Sequence, residues 1–438
     1  MFKQSKGVFT LATTEMWERF SFYTMQYTLV LYATATLAKG GLGFSDSKSL
    51  QIVGIYGGLA YATPLLGGYI ADKWIGRRNA IHLGGILMAI GHFILAFGGI
   101  YNFYFSLIFI ALGVGLFKPN ITSLVGNLYS KHDEKREAGY NLFYAGINVG
   151  ALLSGIVGGI LNDSFGYYAS FTAAGICMII GVINFKFFSN SIRHLGAKPK
   201  KNTTENSHEI KTTPFFQLSV PARNGVYLFL ILSVMNIIWQ IAYAQWAGSL
   251  NLLAERNTDR VAFGYTIPTL WFESLNSLFI VIISPLLAIF YIWLQKNKKK
   301  IDLSYKLSLG YFLQALACFI IIPAVIHVQT NPHFQASPWY QVCFYLFSTV
   351  AELFTVPVMF AATSVLAPKG YEGRLMGICI FAALSMGTYF AGLTASLFTE
   401  LGDTKLFLCL GVVTFVFGII HIFINKKVKH YELEAIKG

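Results

Sequence analysis

The stretch TTEMWERFSFYTMQYTLVLY, Thr13–Tyr32, is long and apolar enough to cross a bilayer as one helix, but three charged residues lie in its first two turns. Glu15, Glu18 and Arg19 are three and four residues apart, so a helix places them on one face. Because a charge at the bilayer centre costs about 3 kcal/mol on insertion scales, we expect this face to line a wet interior. The alternative is that the helix begins in the interfacial region and that these groups are solvated cytoplasmic charges.

The whole chain is too apolar for an ordinary soluble core. Its 438 residues have a mean hydropathy of +0.56, with 55% hydrophobic and 12% charged residues. Apolar segments of about 20 residues recur along its length, and each can cross a membrane as a helix. The sequence therefore predicts an all-α integral membrane protein with twelve transmembrane helices. The predicted spans are 13–37, 49–71, 79–100, 103–127, 138–161, 167–188, 224–248, 265–294, 303–326, 339–366, 374–398 and 405–425.

Basic residues are distributed unevenly between the two faces that these spans define. Of 33 Lys and Arg residues, 26 fall on the face that holds both termini, five on the opposite face, and Arg19 and Lys118 within spans. The positive-inside rule therefore predicts cytoplasmic termini in a multi-pass protein of the plasma membrane, here a bacterial inner membrane. The net charge of +13 then reflects orientation, so we expect the lipid bilayer as a partner and no nucleic acid. The charges of the first span also argue against a cleavable signal peptide.

The longest polar interruption runs from Ser189 to Asn224 and separates six predicted spans from the other six. Pro, Asn, Thr and Lys dominate it and nothing in it is periodic, which is typical of a mobile cytoplasmic loop. The sequence thus predicts an N-terminal six-helix bundle at 1–188, a cytoplasmic linker at 189–223 and a C-terminal six-helix bundle at 224–438. Two such bundles around a central cavity are a common transporter plan.

Two further charges lie inside predicted spans. Lys118 is in the fourth span, in GVGLFKPNITSL, and Glu352 is in the middle of a span of the second half, in STVAELFTVP. Lys118 needs a partner and Glu352 is the candidate, since a contact at 4 Å contributes about 4 kcal/mol at an effective dielectric of about 20, before desolvation. Glu15 and Glu18 beside Arg19 leave one carboxylate without a cation, so we expect one of them to take up a proton.

The loop between the second and third spans, GGYIADKWIGRRNAI at 67–81, resembles the loop signature of the major facilitator superfamily. Gly68, Asp72 and the Arg77–Arg78 pair have the signature's spacing. Other segments resemble one family within it, the proton-dependent oligopeptide transporters, and the likeness covers nearly the whole chain. These segments are ERF at 18–20, FYAGINVGALLS at 143–154, KPNI from Lys118, WFESLNSLFI at 271–280, AEL around Glu352 and LAPKGYEGRLMG at 366–377.

The resemblance implies a fold of two six-helix bundles and a secondary active transporter that imports di- and tripeptides with protons by alternating access. It likens Glu15, Glu18 and Arg19 to the proton-coupling and peptide-binding cluster, and Lys118 and Glu352 to a pair across the central cavity. Glu352 would hold the peptide amino terminus, while Arg19 and Lys118 suit its carboxylate. Contacts to the peptide backbone or side chains are implied for Tyr23, Tyr61, Asn148, Trp239 and Asn276, each of which could instead be an ordinary packing residue.

The chain departs from the family pattern in the seventh span, where the usual Glu is absent. Its usual Arg partner in the first span is replaced by Gln26. The joint loss leaves no orphan charge but removes one proton site and an outer-gate ion pair. We hypothesise that Glu273, one turn before Asn276, substitutes as a proton-coupling residue beside Glu15, Glu18 and Glu352. The alternative is that Glu273 is a polar residue of the outer cavity without a coupling role.

Two other classes of function stay open. One is a superfamily carrier of another small solute, such as a nitrate, a drug or a peptide-like metabolite. The other is a polytopic membrane enzyme or a non-transporting sensor, which the lack of an HExxH, GxSxG, CxxC or phosphate-loop motif disfavours. We therefore expect no enzymatic activity, no metal and no cofactor, with the proton as the coupling ion. Small peptides are the expected substrates and a monomer is the expected state.

Overall fold

The computed structural model describes residues 5–129, 135–193, 195–197, 214–331, 333–368, 370–399 and 403–437. Almost all of these residues are helical. The helices are α1 Lys6–Thr34, α2 Asp46–Ile70, α3 Arg77–Ala96, α4 Ile100–Asn127, α5 Lys135–Phe165, α6 Tyr167–Phe188, α7 Val220–Tyr243, α8 Ser249–Asn257, α9 Leu270–Lys296, α10 Leu303–Thr330, α11 Trp339–Leu366, α12 Glu372–Ile380, α13 Gly387–Phe398 and α14 Asp403–Lys437. A short antiparallel hairpin, β1 Val261–Ala262 with β2 Tyr265–Thr266, precedes α9.

Within the described residues, eleven helical segments are long and apolar enough to cross a membrane. Three are composite: a π-helical turn at 71–75 extends α2, a 3-10 turn at 244–247 joins α7 to α8, and a π-helical turn at 381–386 joins α12 to α13. The charged α1, 29 residues long, is the twelfth long helix. The prediction of an all-α membrane protein with twelve long helices is therefore confirmed.

Helix α1 begins earlier than the predicted span. It starts at Lys6, where the side chain of Ser5 accepts a hydrogen bond from Gly7 N at 3.2 Å and caps the helix. The predicted start at residue 13 missed the first two turns of the helix, KGVFTLA at 6–12. The earlier start moves Glu15 away from the helix end, to its third turn.

The chain forms two compact units. The first contains Met1–Lys201, Leu250–Arg256 and Arg260–Val281. In this unit α1 packs against α5 and α6, and α3 packs against α4. A Cβ atom on Gly84 would lie 2.6 Å from the carbonyl oxygen of Gly113, so the backbones of α3 and α4 touch. Small residues allow such contact where lipid removes any hydrophobic drive for helices to associate.

Parts of α8 and α9 belong to this first unit although they follow the predicted linker in the sequence. The Asn251 amide on α8 donates a hydrogen bond to Tyr27 O of α1 at 2.7 Å. On α9, the Trp271 indole donates to Ile156 O at 3.1 Å, and the Ser274 hydroxyl donates to Leu152 O at 3.1 Å. These bonds attach the first turns of α9 to α5.

The second unit contains Asn202–Ser249, Asn257–Asp259 and Ile282–Gly438. Its core joins α7, α10, α11 and α12 through buried apolar side chains such as Phe229, Leu307, Met359 and Leu375. Helices α10 and α14 lie close together, and the Ser308 hydroxyl of α10 donates to Gly418 O of α14 at 2.8 Å. Residues 194 and 198–213 of the predicted linker 189–223 lie outside the described residues, and the predicted boundaries of the two bundles stay predictions.

Candidate functional site

Four charged side chains form a cluster inside the first unit, which we call the charge cluster: Glu15, Glu18 and Arg19 of α1 and Lys118 of α4. Both carboxylates are fully buried and Arg19 is 4% exposed. Arg19 Nε and Nη2 donate to the two oxygens of Glu18 at 2.5 and 2.6 Å, and Arg19 Nε lies 3.4 Å from Glu15 Oε1. Lys118 Nζ donates to that same Glu15 oxygen. The expectation that the α1 charges avoid lipid fits this burial.

The charge cluster is electrically balanced, with two carboxylates and two cations. The sequence-based expectation of a carboxylate without a cation was wrong for this arrangement, because Lys118 reaches across from α4 to Glu15. A pair between Lys118 and Glu352 stays a prediction, since these residues belong to different units. The Lys118 side chain keeps 29% exposure, the largest in the cluster, and Glu15 Oε2 is buried without a hydrogen-bond partner among the described residues.

Two glycines of α5 hold α1 close at the level of the charge cluster. A Cβ atom on Gly146 would lie 2.6 Å from Ala12 O, and one on Gly150 would lie 3.0 Å from the Cβ atom of Arg19. Both glycines belong to the segment FYAGINVGALLS. The segment that carries the sequence resemblance therefore has a physical role, because its small residues let the α5 backbone lie directly against the charged helix.

Aromatic rings extend the charged face of α1. The Arg19 guanidinium lies 4.7 Å from the Phe22 ring centroid and 5.6 Å from that of Tyr23, within the range of cation–π attraction. Tyr23 stacks on Tyr27 with 5.4 Å between centroids. Tyr23 and Tyr61 are partly exposed, whereas Asn148 is buried and donates to Tyr144 O of its own helix at 3.0 Å.

In the second unit, Glu352 of α11 is held by an aromatic pair of α7. Tyr243 Oη donates to Glu352 Oε2 at 2.8 Å, and the Tyr243 ring stacks on Trp239 with 4.9 Å between centroids. Trp239 is fully buried, and its indole nitrogen has no hydrogen-bond partner among the described residues. Tyr243 thus orients the carboxylate. Sequence reasoning did not include it among the site residues, since a tyrosine in a span is more often a packing residue.

Glu273 on α9 is the third fully enclosed carboxylate of the described first unit. It is 2% exposed, and neither oxygen has a hydrogen-bond partner in the described part of the chain. The Tyr27 phenol lies within electrostatic reach of it. Gln26, the neighbour of Tyr27, is 3% exposed with its amide oxygen also unpartnered. Sequence reasoning included neither Tyr27 nor Asn251, because the hydrogen bond between them joins segments that are far apart in the sequence.

The charge cluster is suited to coupling the uptake of a proton to the binding of an anionic ligand. Among the described residues, no group of three or more His, Cys, Asp or Glu side chains could hold a metal ion. A proton on either cluster carboxylate would leave one cation in excess. A cation in apolar surroundings binds a carboxylate strongly. The two parallel N–H donors of an arginine guanidinium also match the two oxygens of a carboxylate in geometry.

Relatives of known sequence identify the family of the chain. Residues 78–219 and 200–407 match the model of the POT family. The chain belongs to this family. A peptide transporter of Yersinia enterocolitica is 31% identical over 441 residues, covering 87% of this chain and 86% of the relative. A di-/tripeptide transporter of Lactococcus lactis subsp. cremoris is 30% identical over 487 residues, covering 98% of this chain and 96% of the relative.

Solved structures of family members have the same fold. A crystal structure of a mutant peptide transporter POT with alafosfalin has a TM-score of 0.89 at 27% identity, covering 98% of this chain and 96% of that one. A POT family transporter with 5-aminolevulinic acid has a TM-score of 0.88 at 26% identity, with 98% of each chain covered. The fold of this POT family member is therefore the major facilitator fold.

The pairing of Glu15 with Lys118 predicts strong coupling between the two side chains. Glu15→Gln or Lys118→Gln alone leaves the partner's charge in excess. Breaking a buried pair in this way lowers the free energy of unfolding by about 3 kcal/mol, and we expect the low end of the usual range because Lys118 is partly exposed. We expect the double variant to be destabilised by less than the sum of the single changes. Thermal unfolding of the purified protein measures all three variants. Additive losses would show that the pair contributes no coupling.

Proposed function

We propose that this POT family member imports di- and tripeptides together with protons by alternating access. The observation that carries the proposal is the balanced charge cluster buried in the first unit. Relatives that match almost the whole chain are named di-/tripeptide transporters. A symporter needs a site whose affinity for substrate depends on the coupling ion, since a ligand shifts a conformational equilibrium only through differential binding. The charge cluster supplies such a dependence.

We propose that side chains of opposite charge bind the two ends of a peptide zwitterion. In this proposal Arg19 and Lys118 bind the peptide carboxylate, and Glu352 binds the amino terminus with its carboxylate oriented by Tyr243. Recognition by the two termini leaves the peptide side chains to pockets with less stringent chemistry. Contacts to the peptide backbone or side chains are assigned to Tyr23, Tyr61, Asn148, Trp239 and Asn276.

Proton coupling follows from the shared oxygen of Glu15. Its Oε1 atom faces both Lys118 and Arg19, so a proton on Glu15 removes the anion that holds Lys118. Lys118 is partly exposed and can then bind a peptide carboxylate in its place. Substrate and proton therefore favour each other's binding. When either the proton or the peptide is released, the ion pair between Glu15 and Lys118 can form again. Its formation favours release of the other ligand.

Glu18, the carboxylate that holds Arg19, gives a first test of whether the charge cluster couples protons to uptake. In liposomes that contain the protein, labelled di-alanine should accumulate above its outside concentration when an inward proton gradient is imposed. Glu18→Gln, which mimics a permanently protonated carboxyl, should reduce accumulation to the outside concentration. Exchange of labelled for unlabelled peptide without a gradient should persist, because the carrier can still change state with substrate bound. Gradient-driven and exchange uptake, measured in parallel, separate the two activities.

Glu137→Gln is the matched control, because Glu137 is an exposed carboxylate in the first turn of α5. It should leave accumulation unchanged. Undiminished accumulation in the Glu18 variant would exclude Glu18 from coupling. A wild-type protein that neither binds nor takes up any di- or tripeptide would overturn the peptide assignment itself.

We also assign a proton-binding role to Glu273. Burying an isolated carboxylate costs several kcal/mol, so a site without a cation or a hydrogen-bond donor stabilises the neutral acid. Among the residues that the structure describes, Glu273 in the attached start of α9 is in such a site. The nearby Tyr27 has no cationic group, so it supplies no compensating positive charge. Ionisation of Glu273 therefore requires a rearrangement that admits water or a cation, which links its proton to the conformational state.

Glu273→Gln tests this role. The variant should keep peptide exchange and show a weaker dependence of gradient-driven uptake on external pH than wild type, because one proton-binding group is gone. Uptake across a series of external pH values, with Glu137→Gln as control, measures that dependence. An unchanged pH dependence would leave Glu273 as a polar packing residue without a coupling role.

A peptide-like metabolite is the second candidate substrate. A family member of the same fold has been solved with 5-aminolevulinic acid, a small molecule with an amine and a carboxylate. The two charged poles proposed above bind any ligand with these two ends. Competition of such compounds against labelled di-alanine ranks them against peptides in the same liposomes.

We propose that both termini are cytoplasmic, that the protein is in the bacterial inner membrane, and that it works as a monomer without a cofactor. The excess of Lys and Arg on one face supports this orientation. A green fluorescent protein fused after Gly438 should fluoresce, because it matures in the cytoplasm. An alkaline phosphatase fused at the same place should be inactive, and the reverse pair of results would invert the topology.

A further inference from the structure

The end of α9 and the start of α10 enclose a cavity that the transport mechanism does not use. Its volume is about 310 Å³. Lys300, Lys306 and Tyr291 lie at one side of it, with Glu432 of α14. An adjoining cavity of about 380 Å³ shares Tyr291, Lys300 and Lys306 and adds Lys298 and Lys299. We call the two together the lysine pocket. All of its residues belong to the second unit.

The lysines of this pocket are mostly uncompensated. Lys300 Nζ lies 3.8 Å from Glu432 Oε1, the nearest carboxylate partner that the described residues provide. Lys306 is half-buried and lies 4.8 Å from the ring centroid of Tyr291, and Lys299 lies 5.6 Å from that of Trp293. Neither has a carboxylate within 4 Å in the described part of the chain. The pocket therefore carries a net positive charge.

The adjacent Asp302 is already bound elsewhere. Asn425 Nδ2 and Lys429 Nζ each donate to Asp302 Oδ2 at 3.2 Å. The hydrogen bond from Asn425, with the charge of Lys429, lowers the pKa of Asp302. Lys300 is within electrostatic reach of this carboxylate. Asp302 thus ties α10 to α14 and is bound by Lys429 rather than by Lys300, so Lys300 stays available to an anion together with Lys298, Lys299 and Lys306.

The opposite wall of the pocket is apolar. Leu353, Val358, Ala362 and Leu366 of α11 line it, and all four are buried. A free phosphate ion would gain nothing from such a wall. An anionic group attached to a hydrocarbon chain would place its charge among the lysines and its apolar part against α11, which is the arrangement of basic pockets that bind lipid headgroups.

Aromatic side chains place the pocket at the depth of lipid headgroups. Trp293 is 50% exposed and Tyr305 is 46% exposed, one on each helix beside the lysines. Exposed Trp and Tyr at the ends of transmembrane helices mark the membrane–water interface. The apolar face of α9 continues from there, with Leu286 and Ile289 both more than half exposed. The lysines are therefore at the level where lipid phosphates lie.

We propose that the lysine pocket binds the phosphate headgroup of an anionic phospholipid, with Lys300 and Lys306 as the principal charges and the α11 wall against its glycerol and acyl portion. The site is distinct from the charge cluster, which belongs to the other unit. Its occupancy does not require that the transported solute be a peptide. The proposal is therefore tested by binding rather than by transport.

The experiment compares phosphatidylglycerol with phosphatidylcholine of the same acyl chains, added to the full-length protein purified in detergent. Native mass spectrometry measures the bound lipid, and thermal unfolding measures the stabilisation. Wild type should bind phosphatidylglycerol more tightly. Lys300→Gln/Lys306→Gln should weaken that binding about 30-fold, because each lysine near a phosphate contributes roughly 1 kcal/mol. Binding of phosphatidylcholine should not change.

Two further variants control for folding and for general surface charge. Lys300→Arg/Lys306→Arg keeps both charges and should keep lipid binding. Lys426→Gln/Lys427→Gln removes two exposed charges from α14 outside the pocket and should leave binding within about twofold of wild type. An equal loss in this control variant would overturn the proposal in favour of non-specific surface attraction.

A test with inorganic phosphate distinguishes a lipid headgroup from a free phosphate ion as the anion that the pocket binds. At millimolar concentrations it should neither stabilise the protein nor displace phosphatidylglycerol, since it makes no contact with the apolar wall. Phosphate that stabilises wild type as much as the lipid does, and loses this effect in the glutamine double variant, would reassign the pocket to a soluble anion.

Discussion

The compensation of buried charge is the constraint on which the rest of the site depends. Glu15 and Glu18 are fully buried in a helix that crosses the membrane, and each is tolerable because a cation lies against it. One cation, Arg19, is on the same helix, whereas the other, Lys118, comes from α4. This division makes the balance depend on helix packing. A site built this way responds to any proton or anion that alters its charge.

Glycine contacts set the distances on which this compensation relies. Gly146 and Gly150 of α5 lie against the α1 backbone at the level of the charge cluster, and no larger side chain fits there without displacing α1. On the same helix, Gly155 and Gly159 face the start of α9, where Ser274 and Trp271 bond to α5 carbonyl groups. Small residues on two faces of α5 thus position the charge cluster on one side and the segment that carries Glu273 on the other. The mechanism therefore depends on backbone contact as much as on ionisable groups.

The sequence was sufficient to predict the twelve helices, because each long apolar segment has few stable alternatives in a bilayer. It also indicated Glu15, Glu18, Arg19, Lys118 and Glu352, since charges within spans are rare and stand out. It did not indicate which cation pairs with which carboxylate. Lys118 and Glu15 are 103 residues apart in the sequence, and only packing decides that they meet. Tyr243, Tyr27 and Asn251 were missed for a related reason, because tyrosine and asparagine within a helix give no signal of their partners.

The first unit handles its buried carboxylates in two different ways, and the difference separates their roles. In the charge cluster each carboxylate is matched by a cation, so neutralising one liberates a cation for substrate. Among the described residues Glu273 has no cation partner. Its protonation therefore frees no cation and only lowers the free-energy cost of burying the carboxyl group. In the proposed function, a proton at the charge cluster therefore breaks an internal ion pair and frees its cation to bind an anionic ligand. In the role proposed for Glu273, a proton there instead stabilises the packing of α9 against α5.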